Sequence, residues 1–295
     1  MNQYVFREEN FEELYRNYEK IEIKECIICH SDKFTKWTKE SRFQAYKCND
    51  CALIFMNPQL SEEGLNKYYN DYIGRRRVNN KLKMEQRNLQ YKLDYNLINK
   101  FITKGKILDV GCNGGFFLNF FDNDFEKHGT EVDQHAVEFA KKNFPELSKN
   151  IIFKKFENSE YDNNFFDLII MRGVVEHVSN PELYIKEVSK KLKKNGLFYI
   201  CATPNGSSFC ANYFRERWSL FHPIQHLWHY SSHNLEILCS KYSLKLIFQD
   251  FPYMGTPYEN VLSDINQINE QISGISKKIS PPFFENMMSI IFKKI

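Results

Sequence analysis

Lys106-Ile107-Leu108-Asp109-Val110-Gly111-Cys112-Asn113-Gly114-Gly115 opens the stretch that decides the fold, and Glu131-Val132-Asp133 closes it. The first five residues form an apolar strand that ends in a turn. Phe116 to Phe121 is expected to begin a helix over about 115–122, and a second strand, 127–132, carries Glu131 at its tip. Strand, glycine turn, helix and strand, with an acid roughly 20 residues on, is the pattern of a βαβ nucleotide-binding unit. Glycines at 111, 114 and 115 let the backbone turn sharply and approach a ligand. Asn113 is one of the few other residues that tolerates a left-handed conformation. A dinucleotide site would read Gly-x-Gly-x-x-Gly and place a pyrophosphate at the helix start. Here Asp109 stands where a phosphate would be repelled, and its carboxylate suits a ligand that carries an ammonium group. Glu131 can accept both hydroxyls of a ribose. The competing reading is a packing turn in an unrelated α/β protein.

The turn, Asp-x-Gly-x-Asn-Gly-Gly, resembles the first motif of the class I S-adenosylmethionine-dependent methyltransferases, typically Asp/Glu-x-Gly-x-Gly-x-Gly. Asn113 replaces the middle glycine, a departure also met in some sugar C-methyltransferases of that class. The resemblance implies a Rossmann-like α/β core whose seven-stranded sheet has its last strand antiparallel, and S-adenosylmethionine as cofactor. Asp109 with Gly111 and Gly115 would hold its methionine end and Glu131 its ribose, with Asn113 among the cofactor-binding residues. Ile151 to Lys155 reads as the third strand. The residue after it touches adenine in the family, so Phe156 and Glu157 are candidates, and Phe156 reads equally well as core.

Upstream, Cys26-Ile27-Ile28-Cys29, an 18-residue gap and Cys48-Asn49-Asp50-Cys51 fit the four-cysteine zinc pattern. Four thiolates complete a closed tetrahedral shell with no position for water, so the expected zinc is structural. The alternative is four free buried thiols. The ribbon, the Phe55-Met56-Asn57-Pro58 strand that leaves it and the capped helix from Ser61 through Tyr68-Tyr69 resemble the N-terminal module of small-molecule and sugar methyltransferases. That module usually has glycine after the last cysteine, where this chain has Ala52. Phe11, Leu14, Tyr15 and Tyr18 have the spacing of a short amphipathic helix. Gly74-Arg75-Arg76-Arg77 precedes a long helix through about Phe101. Its arginines read as a solvated helix start, or one of them, or Tyr72, lies over the cofactor.

Downstream, Phe165 to Met171 is a continuous apolar run, as a central parallel strand should be. It ends in Arg172-Gly173-Val174-Val175-Glu176-His177-Val178, at the switch point where ligands sit in open α/β sheets. Val-x-Glu-His-Val resembles the family's fourth-strand motif, which adds Arg172 to the cofactor residues. His177 is a site residue or packs, and Glu176 caps the turn. Asn180-Pro181 starts a helix that Asn195-Gly196 closes as C-cap, and Leu197 to Cys201 is the fifth strand. Residues 206–230 lie outside any regular strand and include His222, His226 and His229, Trp218, Trp228 and Tyr230. They resemble the loop that closes over the acceptor in the same subfamily. A loop core and a metal-binding His-x-x-x-His-x-x-His are the competing readings. Ser231 caps a helix, Leu244 to Phe248 is the sixth strand, and Met288 to Ile295 alternates as the last. Residues 252–285 then form a hairpin insertion that completes the acceptor pocket or a dimer contact.

The expected organisation is a helix and zinc ribbon over 1–60, connecting helices over 61–104 and the core over 105–295. The 295 residues carry a net charge of +3 with both signs well mixed, which gives no polyelectrolyte footprint for nucleic acid. No apolar run approaches the ~20 residues that span a bilayer. The acidic N-terminus does not read as a signal peptide, so a cytoplasmic location is expected. The implied reaction is methylation of a small hydroxylated metabolite, a saccharide or nucleotide-activated sugar, with His222, His226 or His177 as base. A zinc-ribbon RNA methyltransferase and a cofactor-less interaction module are the alternatives.

Overall fold

The computed structural model describes residues 16, 18–40, 43–68 and 81–295, with backbone alone for 81–84. Phe11, Leu14, Tyr15, Tyr72 and the three arginines after Gly74 lie outside the described residues.

In chain order the strands are β1 (Lys20–Ile21), β2 (Phe34–Glu40), β3 (Phe43–Cys48), β4 (Ile54–Met56) and β5 (Gln59–Leu60). The helices α1 (Glu62–Tyr68) and α2 (Lys81–Ile98) lead into β6 (Gly105–Val110) and β7 (Phe125–Glu131). Then come α3 (Gln134–Asn143), β8 (Ile151–Phe153), β9 (Phe166–Arg172), α4 (Pro181–Lys191) and β10 (Leu192–Pro204). The chain ends with α5 (Phe209–Phe214), β11 (Trp228–His229), α6 (Ser232–Ser240), β12 (Leu244–Asp250), α7 (Val261–Ile272) and β13 (Met287–Lys294).

Seven strands form one sheet in the order β12-β13-β10-β9-β6-β7-β8. β6, β7, β8, β9 and β10 run parallel, while β13 is antiparallel to both β10 and β12. This is the Rossmann-like methyltransferase fold that the sequence motifs imply. The central strands are apolar on both faces because both faces are covered. Leu108, Val110, Ile169, Met171, Phe198 and Ile200 enter one core, and Ile107, Leu168, Ile170, Tyr199 and Cys201 enter the other. That is the two-residue alternation of a strand. The order reverses between β6 and β9, which places the ends of those two strands beside each other at the switch point.

The second sheet, β11-β4-β3-β2, carries the cysteine ribbon. Its outer strand comes from far downstream: Trp228 pairs with Phe55 and His229 with Ile54. Residues 206–230 are therefore not free of strand structure. A two-residue strand inside an aromatic loop has no period to read, and only its pairing with β4 reveals it. Cys26, Trp37 and Phe55 share one apolar core with Leu108 and Phe198, so the ribbon and the larger sheet bury a common surface.

Three local expectations are corrected. No α-helix spans 115–122; a short 3-10 turn, Leu118–Phe120, stands there instead. Gly115 is left-handed (φ 75) and β7 begins at Phe125, which leaves too little chain for a regular helix. Asn195-Gly196 does not cap α4, whose C-cap is Leu192 with its N–H on the Val188 carbonyl. Asn195 (φ 65) instead sits in an irregular stretch between the β10–β9 pairs Leu192↔Phe166 and Leu197↔Leu168. Finally, the insertion 252–285 is not a simple hairpin, because it contains α7.

Candidate active site and zinc centre

The glycine turn follows β6. Gly111 (φ 69) donates its N–H to the Thr130 carbonyl at 2.8 Å, and a Cβ there would meet the Val174 side chain at 2.9 Å. Asn113 (φ 51) adopts the left-handed conformation its side chain favours, and its Oδ1 accepts the Gly114 N–H at 2.8 Å. Glu131 closes the turn from across the sheet. One carboxylate oxygen accepts the Asn113 N–H at 2.7 Å, and the other accepts those of Val132 and Asp133 at 2.7 and 3.0 Å.

Asp109 lies beneath this turn, 3% exposed. Its Oδ1 is buried and has no hydrogen-bond partner among the described residues. Burial pushes the carboxyl up to about 8; nearby Arg172 opposes the shift and Glu131 adds to it. A buried oxygen left unpaired costs free energy unless a donor arrives.

Two cavities meet at this point, and Gly111 and Gly173 line both. The larger, about 340 Å³, holds Asp109, Asn113 and Arg172 on one side and Tyr253, Tyr258 and Phe283 of the insertion on the other. The smaller, about 180 Å³, holds Glu131, Phe156, Glu157 and His177. Phe156 is 1% exposed and packs on Tyr184 with ring centroids 5.8 Å apart. Glu157 Oε2 is buried without a hydrogen-bond partner among the described residues. Gly115 is set back from both linings, and a Cβ there would meet Ile151 and Leu147 at 3.3 Å.

Arg172, at the end of β9, donates from Nε to Asp94 Oδ2 at 2.8 Å and lies 4.5 Å from the centre of the Tyr91 ring. Gln90 donates to the other Asp94 oxygen at 3.0 Å. Sequence motifs pointed to Arg172 but not to Asp94, Gln90 or Tyr91. All three lie on α2, whose polar-apolar pattern reads as an ordinary helix.

The three candidate histidines come together. The His226 ring centroid is 4.8 Å from that of His177 and 4.8 Å from that of His222. Of the three, only His177 lines either cavity. Burial lowers His222 to about 4 and His229 to about 3, and holds His226 well below its ordinary value. Glu176 is 2% exposed, and burial pushes its carboxyl up to about 8. It accepts the Thr203 hydroxyl at 3.1 Å, and its other oxygen lies 3.7 Å from His177 Nε2.

In the ribbon, the sulfurs of Cys26, Cys29, Cys48 and Cys51 all lie within 4.8 Å of one another. Cys26 and Cys51 are 3.4 Å apart, and Cys29 and Cys48 3.5 Å. Tetrahedral zinc with Zn–S near 2.3 Å would space them at about 3.8 Å, so the group fits the ion. The residues after each knuckle match: His30 (φ 59) donates to the Cys26 carbonyl, and Ala52 (φ 60) to that of Cys48.

Residues 83–248 match a family model described as a methyltransferase domain. The chain belongs to this methyltransferase family. A ubiquinone biosynthesis O-methyltransferase of Pelagibacter ubique (strain HTCC1062) is 34% identical over 103 residues, 32% of this methyltransferase and 40% of that protein. A tRNA U34 carboxymethyltransferase of Sulfurovum sp. (strain NBC37-1) is 29% identical over 113 residues, 36% of this chain and 38% of that one. The methyltransferase thus spans about two fifths of the length of these curated relatives. Among solved structures, a chain of the complex between the Haloferax volcanii Trm112 methyltransferase activator and its methyltransferase superposes with TM-score 0.57 at 13% identity, over 78% of this chain and 97% of that one. An S-adenosylmethionine-dependent methyltransferase of Thermotoga maritima gives 0.52 at 16%, over 78% and 98%. At these identities the superpositions speak to fold. Among the described residues, no helix is long and apolar enough to cross a membrane.

Proposed function

We propose that this methyltransferase transfers the methyl group of S-adenosylmethionine to a small hydroxylated metabolite, a saccharide or nucleotide-activated sugar. The observation that carries the reading is the Asp109 oxygen in the wall of the larger cavity that has no hydrogen-bond partner among the described residues. A buried carboxylate oxygen there fits the cofactor's ammonium group. Glu131, Phe156 and Glu157, grouped around the adjoining cavity, fit its ribose and adenine. Bound there, the cofactor supplies a methyl group already activated by a sulfonium.

The chain's own residues then have two tasks. The walls that Tyr253, Tyr258 and Phe283 give the larger cavity hold the acceptor near the reacting end of the cofactor. One imidazole of the His177–His226–His222 group takes the acceptor's proton. A cavity of about 340 Å³ suits a monosaccharide-sized acceptor. The four cysteines hold a structural zinc that ties the ribbon together.

Label transfer from methyl-labelled S-adenosylmethionine tests the reading, with nucleotide-activated sugars in one arm and transfer RNA in the other. Labelled sugar is the expected product. Label in the RNA alone would replace this reading with the RNA-modifying one, for which the tRNA-modifying relative is the support.

A further inference from the structure

We propose that Glu176, His177 and His226 form a second metal site, for a divalent ion of the zinc class held by one carboxylate oxygen and two imidazole nitrogens. One ligand atom from each residue lies within 4.8 Å of the other two. The site differs in place and in chemistry from the four thiolates of the ribbon.

Hydrogen bonding around the two rings carries the inference. His177 Nδ1 lies 2.8 Å from the Gln225 carbonyl, and His226 Nδ1 lies 2.8 Å from the Leu220 carbonyl. A carbonyl only accepts, so each Nδ1 must carry the proton. In a neutral imidazole that leaves the lone pair on Nε2. Backbone carbonyls that fix the tautomer in this way are the usual outer support of metal-binding histidines. The same bonds oppose a proton relay along the row, because a relay must pass through Nδ1 of each ring.

The carboxylate points the same way. Glu176 is 2% exposed, and among the described residues no lysine or arginine forms an ion pair with it. Arg172 is committed to Asp94. A buried carboxylate needs a compensating cation or a proton, and the His177 Nε2 lone pair 3.7 Å away, with a His226 nitrogen within 4.8 Å, favours a metal cation. Ligands at 2.0–2.1 Å in a tetrahedron stand about 3.3 Å apart. The group, with Glu176 and His177 already at 3.7 Å, closes to that by small side-chain rotations. Nitrogen and carboxylate donors suit zinc, cobalt or iron better than calcium or magnesium. Three protein ligands leave a fourth position open, and His177 lies in the wall of the smaller cavity.

The test titrates cobalt(II) into the full chain whose cysteine site is already loaded with zinc. A further single equivalent is expected, with weak visible bands and no sulfur-to-cobalt charge transfer. Glu176→Gln and His226→Ala, each checked for native circular dichroism, should weaken that equivalent at least tenfold, and His222→Ala should keep it. Should either variant fail to fold, His177→Gln provides the same comparison. The proposal is overturned if the wild type takes up no second equivalent, or if folded variants bind it as tightly as the wild type. Cobalt uptake is read without any turnover, so this outcome is separate from that of the methyl-transfer assay.

Discussion

Glu131 Oε2 accepts the backbone N–H of Asn113 at 2.7 Å, so the acid at the tip of β7 holds the middle of the glycine turn that follows β6. The residue assigned to ribose is thereby also a clamp on the turn. Glu131→Ala removes both, and cofactor affinity should fall by about 1–3 kcal/mol together with a lower melting temperature. Glu131→Gln keeps the shape and one acceptor oxygen, so it should recover most of the melting temperature and less of the affinity. Calorimetry with S-adenosylhomocysteine and thermal melting on both variants check this. Wild-type affinity in folded Glu131→Ala would remove Glu131 from the cofactor site.

Asp109 should make cofactor binding depend on pH. Its folded pKa of about 8 lies above the ordinary carboxyl value, so in the free protein the group holds its proton at pH 7. The stability this contributes is fully present below the unfolded pKa and is lost as pH rises through about 8. An ammonium ligand favours the carboxylate, so binding below pH 8 should release a proton. Affinity should rise about tenfold per pH unit from 6 toward 8 and then level off. Calorimetry in buffers of different ionisation enthalpy reads the proton directly, and Asp109→Asn should abolish the dependence.

Ala52 occupies a left-handed position, φ 60, which glycine adopts without a steric cost. A side chain costs about 1–2 kcal/mol there, and glycine's extra freedom in the unfolded chain returns part of that. Ala52→Gly should therefore stabilise the ribbon by about 1 kcal/mol. A higher melting temperature, or slower zinc loss to a chelator, is the expected reading; no change or a loss would contradict it.

Cys48→Ser should release the zinc. Because the ribbon shares a core with the larger sheet through Cys26, Trp37 and Phe55, its loss should also lower the melting temperature of the rest. Metal analysis of the purified wild type comes first: a chain without zinc would remove the ribbon's metal from the account.

The legible parts of this protein are those written in adjacent residues. The turn from Asp109 to Gly115 and the paired cysteine knuckles each carry their determinants within a few positions. The antiparallel last strand came from the family resemblance, and β13 lies between β10 and β12 as that implies. What escaped depends on distant partners. The β11–β4 pairing joins residues 228 and 55, and the Asp94–Arg172 ion pair joins α2 to β9. Phe116 to Phe121 misled because an aromatic run looks like a helix face, whereas the room available is set by where β7 starts.

The most direct test is calorimetric titration of S-adenosylhomocysteine into the wild type and Asp109→Asn at pH 7.5. Saturable one-to-one binding to the wild type, weakened at least tenfold in a folded Asp109→Asn, is the predicted result. A folded wild type that gives no binding, or a variant that binds as well as the wild type, would contradict the placement of the cofactor beneath the glycine turn.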